Sequence, residues 1–150
     1  MTQATALVLG PGHGRPLNVL GDRQTVKVTG EDTGGAFALV ENHNPPGVGI
    51  PTHLHRHEDE TFYVVEGDVR FTVDGEQVEA GPGTTVFLPR GTPHAFEVVG
   101  DGPARMLILL APAGLEGLFR ELAALDGPPD PAALAAACGP YGIEFLAPDA

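Results

Sequence analysis

The sequence predicts an all-β fold, an antiparallel sandwich or barrel with a short C-terminal helical appendage. Three observations carry this. Short apolar runs recur from about Val19 to Ala111, each broken by Gly, Pro, Asn or Asp turn signals. No helical period separates them, and after Pro112 the apolar spacing changes from two to three and four. Many strands at close spacing, without crossover helices between them, pair antiparallel.

In order, the expected strands cover residues 25–29, 36–41, 62–66, 69–74, 85–88, 94–99 and 105–110. The turns between them are Gly-Glu-Asp-Thr-Gly-Gly at 30–35, Asn-Pro-Pro-Gly at 44–47, Glu-Gly-Asp at 66–68, Asp-Gly at 74–75, Gly-Pro-Gly at 81–83 and Asp-Gly-Pro at 101–103. "DVRFTVDGEQVEA" is the clearest hairpin: Val69, Phe71 and Val73 alternate with polar Asp68, Arg70 and Thr72, and Asp74-Gly75 suits a two-residue primed turn. Phe37, Phe62, Phe71, Phe87 and Phe96 read as core. In "AGLEGLFRELAAL", Leu115, Leu118, Phe119, Leu122 and Leu125 follow amphipathic helical spacing, ended by Asp126-Gly127-Pro128-Pro129. "DPAALAAAC" begins with an acidic cap and a proline in the first turn, and Gly139-Pro140 closes it. Cys138 reads as a small apolar residue buried by that helix. The expected organisation is one domain over residues 1–150, with a barrel core at about 19–111 and a helical tail at about 114–139.

Composition narrows the function. The 20 acidic residues outweigh the 8 basic ones for a formal charge of −12, which repels phosphate backbones and anionic lipid surfaces. Lys27 is the only lysine and the arginines are scattered, so no basic patch forms. The longest apolar stretch, around 106–113, falls far short of the ~20 residues of a membrane helix. Nucleic acid and membranes are therefore not expected partners; a small molecule is. A single cysteine and the lack of a signal-like N-terminal segment point to the cytoplasm. "GPGHGRP" is no phosphate loop: its glycine spacing is wrong, and Pro16 with no helix pattern follows.

"THLHRHEDETFYVVEG", residues 52–67, holds three histidines and four carboxylates. Such a run is usually a solvated loop, but strand parity sends His53 and His55 to one side. A turn at 56–59 would return the chain with Glu60, Phe62 and Val64 facing inward, Glu60 toward the histidines, and Asp59, Thr61, Tyr63 and Val65 facing away. Further on, Pro89-Arg90-Gly91 turns into a strand that opens with His94, sharing its parity with Phe96 and Val98. His57, Glu58 and Asp59 fit no ligand spacing and read as the exposed turn, with His57 near a pocket mouth at most. His13 and His43 read as surface residues.

The run Gly47-x5-His53-x-His55-x4-Glu60-x6-Gly67 resembles the first motif of the cupin superfamily, and Gly83-x5-Pro89-x-Gly91-x2-His94 resembles the second. The one departure is Val98, where the second motif carries Asn; it touches no expected ligand. The resemblance implies an antiparallel jelly-roll (cupin) barrel in which His53, His55, Glu60 and His94 hold one divalent transition metal (Ni, Mn, Fe, Co or Zn). Three neutral imidazoles and one carboxylate would leave such an ion a net charge of about +1 and, in an octahedral shell, about two open positions. Among small cupins the chain most resembles bacterial quercetinases. The implied function is a metal-dependent dioxygenase of a flavonol or another enolisable aromatic or diketone, with Glu60 as the catalytic base. A metal-dependent isomerase or lyase of a small metabolite, or a non-enzymatic binding cupin, are the alternatives. The resemblance also implies a homodimer, which the apolar stripes of the C-terminal helices support indirectly.

Overall fold

The computed structural model describes residues 4–147. Its strands are β1 (Arg15–Val19), β2 (Asp22–Val28), β3 (Ala38–Asn44), β4 (Gly49–His55), β5 (Asp59–Glu66), β6 (Asp68–Val73), β7 (Glu76–Ala80), β8 (Thr85–Leu88), β9 (His94–Val99), β10 (Ala104–Ala111) and β11 (Ile143–Phe145). The helices are α1 (Gly30–Thr33), α2 (Leu115–Ala123) and α3 (Pro131–Cys138). One sheet runs β1-β2-β3-β10-β5-β8, the other β11-β4-β9-β6-β7, and every pairing is antiparallel.

Alternation drives the layering. Along β9, His94, Phe96 and Val98 are buried while Glu97 is exposed; along β6, Val69 and Phe71 are buried and Asp68 is exposed. The two inner faces meet in an aromatic trio: Phe62 from the first sheet lies edge-on to Phe71 (5.2 Å, 67°) and to Phe96 (5.7 Å, 60°) from the second. Burying each such side chain contributes about 1.5–3 kcal/mol, so this contact is a main tie between the sheets. The β6–β7 hairpin closes as its sequence requires: Asp74 and Gly75 have φ of 49° and 81°, the left-handed pair of a two-residue primed turn between Val73 and Glu76.

The structure departs from the sequence expectation at several places. The barrel starts at Arg15 rather than near 19, and β2 and β3 extend to Asp22 and Asn44 because Asp22, Gln24, Asn42 and Asn44 continue the inward parity of Val26 and Val40. Phe87 is 60% exposed, since Leu88 takes the inward position on β8, and Phe37 is 36% exposed just before β3. The tail is more than helices: after a 3₁₀ turn at Gly139–Tyr141 the chain returns as β11 and pairs with β4, Ile143 opposite His55 and Phe145 opposite His53. Leu115, Leu118 and Leu122 of α2 are buried against the chain's own barrel, beside β1, while Leu125 at the end of the same stripe is exposed. The Asp130 carboxylate caps α3, accepting from Ala133 N at 2.7 Å, with Pro131 in its first turn, and Cys138 is buried. No helix among the described residues is long and apolar enough to cross a membrane.

Candidate metal centre

Four side chains from three strands converge inside the barrel. His53 and His55 come from β4, Glu60 is the second residue of β5 and His94 opens β9; all are buried, and one potential ligand atom from each lies within 4.8 Å of the others. The register makes this happen. His53 pairs directly with His94 across β4 and β9, and their rings sit 4.3 Å apart, while His55 and His94 are nearly parallel at 5.4 Å and 13°. Glu60 arrives from the opposite sheet.

Two anchors hold His94 in place. The Pro89-Arg90-Gly91 turn before β9 is tied to β4 by Gly91 N donating to His55 O at 2.7 Å. Gly91 has φ 87°, a conformation only glycine adopts without strain, so the second motif's glycine connects the two ligand strands. The same turn is tied to β5 by Arg90, whose backbone N and Nε donate to Asp59 Oδ1 at 3.0 and 3.1 Å. Asp59 thus points away from the cluster, and steadies it from outside.

The ring nitrogens are poised for a cation. His53 Nδ1 donates to Pro51 O at 2.8 Å and His94 Nδ1 to Thr92 O at 2.9 Å. In each neutral ring Nε2 is then left as a lone pair aimed into the cluster. His94 Nε2 nevertheless lies 3.0 Å from Glu60 Oε1, and His55 Nε2 lies 3.5 Å from the same oxygen. Lone pairs facing a carboxylate repel unless a proton or a metal cation sits between them. His55 Nε2, on the cluster side of its ring, is buried without a hydrogen-bond partner among the described residues, as a metal ligand would be. A metal ion satisfies all four groups together, so the residues present fit one.

The local electrostatics agree. Burial, reinforced by His94, pushes the His53 imidazole down to about 4, which keeps it neutral and ligating. Burial works against ionising Glu60, but the His94 hydrogen bond and the three neighbouring imidazoles outweigh it and hold the carboxyl below its ordinary value. Burial also works against charging His55, yet Glu58 and Glu60 raise its value overall.

Glu58 corrects the sequence reading. Expected in the exposed turn, it is 6% exposed, and its Oε1 stands 3.6 Å from His55 Nδ1, the side of the ring away from the cluster. A carboxylate behind a ligating histidine fixes its tautomer and raises its basicity. The signal was parity: Glu58 continues the even-numbered inward series Glu60, Phe62 and Val64. His57 does lie in the turn, exposed and against Gly142, and His13 and His43 are exposed, the last paired with Glu66 at 3.2 Å.

The cluster opens into a cavity of about 180 Å³. Phe62, Phe96 and Ile108 from the sheets and Leu118, Phe119 and Leu134 from the helices form its apolar wall, and Asp22 and Gln24 line it as well.

Residues 42–110 match the family model described as a cupin domain. The quercetin 2,3-dioxygenase of Bacillus subtilis is 29% identical over 119 residues, which is 79% of this chain and 35% of that protein. The tetracenomycin polyketide synthase protein TcmJ of Streptomyces glaucescens is 33% identical over 67 residues, 45% of each chain. The chain thus spans about a third to a half of the length of these curated relatives. The solved structure of the polyketide cyclase RemF from Streptomyces resistomycificus superposes with a TM-score of 0.62 at 23% identity, covering 71% of this chain and 80% of that one, a likeness of fold.

Proposed function

From a chain that carries a cupin domain and a buried three-histidine, one-glutamate cluster, we propose a metal-dependent dioxygenase acting on a flavonol-like or other enolisable substrate. The observation that carries this is the set of ring nitrogens and one carboxylate oxygen facing one another at the inner end of an apolar cavity. A divalent metal held by His53, His55, Glu60 and His94 would supply Lewis acidity that makes a bound hydroxyl easier to deprotonate. Glu60 accepts that proton at a carboxylate oxygen: it is buried inside the cluster, and its surroundings hold the carboxyl below its ordinary value. Phe62, Phe96 and Ile108 exclude water from the reacting edge of the substrate. The 29% identity to a quercetin 2,3-dioxygenase over most of the chain supports the substrate class. A cytoplasmic setting and pairing as a homodimer belong to the same proposal.

A second reading, an oxygen-independent isomerase or lyase of a smaller metabolite, is favoured by the cavity. Its volume of about 180 Å³ lies below the ~300 Å³ at the low end of sites for drug-sized ligands, so a flavonol requires the α2–α3 wall to move outward.

Oxygen uptake on adding quercetin, with the protein loaded separately with Mn, Fe, Co or Ni and its metal content assayed, tests the proposal. Uptake with at least one metal, abolished in Glu60→Gln while metal is retained, is the expected result. Fully metallated protein that consumes no oxygen would remove the dioxygenase reading, and turnover of a small hydroxyketone without air would install the second.

A further inference from the structure

A second polar group, outside the ligand set, lies on β2 and β3 of the first sheet, and its Asp22 and Gln24 line the same cavity. On β2 and β3, where a barrel interior ordinarily turns apolar residues inward, the inward positions are Asp22, Gln24, Asn42 and Asn44, each no more than 4% exposed. Asp22 is held from two sides: Asn44 Nδ2 donates to Oδ1 at 2.7 Å and Gln24 Nε2 to Oδ2 at 2.9 Å. Asn44 is itself fixed, its Oδ1 accepting from Arg23 N at 2.8 Å. The set is incomplete in one direction. Gln24 Oε1 and, behind it on the facing strand, Asn42 Nδ2 are buried without a hydrogen-bond partner among the described residues.

We propose that Asp22 and Gln24 form a second recognition pole of the cavity, where a hydroxyl group of the substrate remote from its metal-binding edge donates to Gln24 Oε1. Both side chains line the cavity that contains His53, His55 and Glu60, so one molecule can reach both ends. A carboxylate and three amides on an inward face cost stability wherever they are imperfectly paired, and such a cost is retained where the groups serve binding. Burial pushes the Asp22 carboxyl above its ordinary range against the hydrogen bonds from Gln24 and Asn44, with Glu60 adding to the rise. The substrate class this selects has two polar ends across an apolar middle: a metal-chelating hydroxyketone edge and a hydroxyl at the far side. The proposal refines the hydroxyketone reading above and rests on it for the near pole alone.

The test uses the zinc-loaded protein, which holds the near pole without turnover, and two flavonols with the same chelating edge. Quercetin carries hydroxyls on its far ring and 3-hydroxyflavone carries none. Quercetin is expected to bind at least about tenfold more tightly, the value of one good buried hydrogen bond, and Gln24→Met is expected to bring the two within about twofold while zinc content stays unchanged. Equal binding of both flavonols by the unaltered protein, or a preference that survives Gln24→Met, overturns the second pole and leaves the flavonol reading standing. If neither flavonol binds, the flavonol reading falls and stability decides the second pole. Asp22→Asn keeps the shape, and rotating the Gln24 amide presents Oε1 to it. A melting temperature at pH 8 raised by about 2 °C or more supports a group kept for binding, whereas a lowered one makes the cluster structural and overturns the proposal.

Discussion

Glu60 Oε1 lies 3.0 Å from His94 Nε2, and the two residues stand at the starts of β5 and β9, strands of opposite sheets, Glu60 second in its strand and His94 first. The pair therefore joins the halves of the barrel at the point where chemistry is expected. It stands on supports from outside the cluster: Thr92 O fixes the far nitrogen of His94, and Asp59, next to Glu60, grips the Arg90 turn that leads into β9.

Glu58 is expected to matter for metal retention although it is no ligand. Glu58→Gln keeps the shape and removes the charge behind His55 Nδ1, and should weaken metal binding by about 10–100-fold. Competition with a coloured chelator measures this directly. Affinity equal to that of the unaltered protein would make Glu58 a bystander.

Stability should carry a pH signature from Asp22. Its folded-state value lies above the ordinary 3.8, so within that window the folded chain holds a proton that the unfolded chain has released. Stability contributed by the protonated form is then lost as pH rises through the window. The charged or polar groups facing it are Glu60, Gln24, Asn42 and Asn44, and Asp22→Asn leaves them in place. Urea unfolding at several pH values should show the variant gaining on the unaltered protein as pH rises from 4 to 8. A constant difference would mean Asp22 titrates alike folded and unfolded.

For the homodimer proposed above, the outer face of the first sheet offers a pairing surface. On the outer face of the first sheet Phe87 (60% exposed) lines up through Thr61 with Leu109 (38%), and Tyr63 (43%) and Val65 (41%) continue the patch beside the β8 edge. A contiguous exposed apolar surface of this kind marks an interaction site. Phe87→Asp should convert the dimer to a monomer in light scattering coupled to gel filtration, with the metal site intact. An unchanged mass would put the interface elsewhere.

The cluster of His53, His55, Glu60 and His94 is legible in the sequence because two local rules converge on it. Alternation on a strand sends His53 and His55 the same way, inward parity with Phe62 and Val64 places Glu60, and the Pro89-Arg90-Gly91 turn leads into the strand that His94 opens. The hairpin at Asp74-Gly75 and the cap at Asp130 are legible for the same reason: each is decided within a few residues. Asp22, Gln24, Asn42 and Asn44 are not, because apolar alternation is the signal for an inward face, and polar residues facing inward erase it.

By itself the sequence determined the antiparallel strand pattern, the helical switch after Pro112 and the four inward-facing candidate ligands, all matters of period and turn chemistry. Tertiary structure alone decided that β11 pairs with the histidine strand, that Leu115, Leu118 and Leu122 of α2 pack on the barrel, and that Glu58 stands behind His55 while Asp22 and Gln24 share the cavity. The physical reason is range. Backbone period and turn conformation act between neighbours in the chain, whereas the burial of a carboxylate depends on what residues dozens of positions away bring over it.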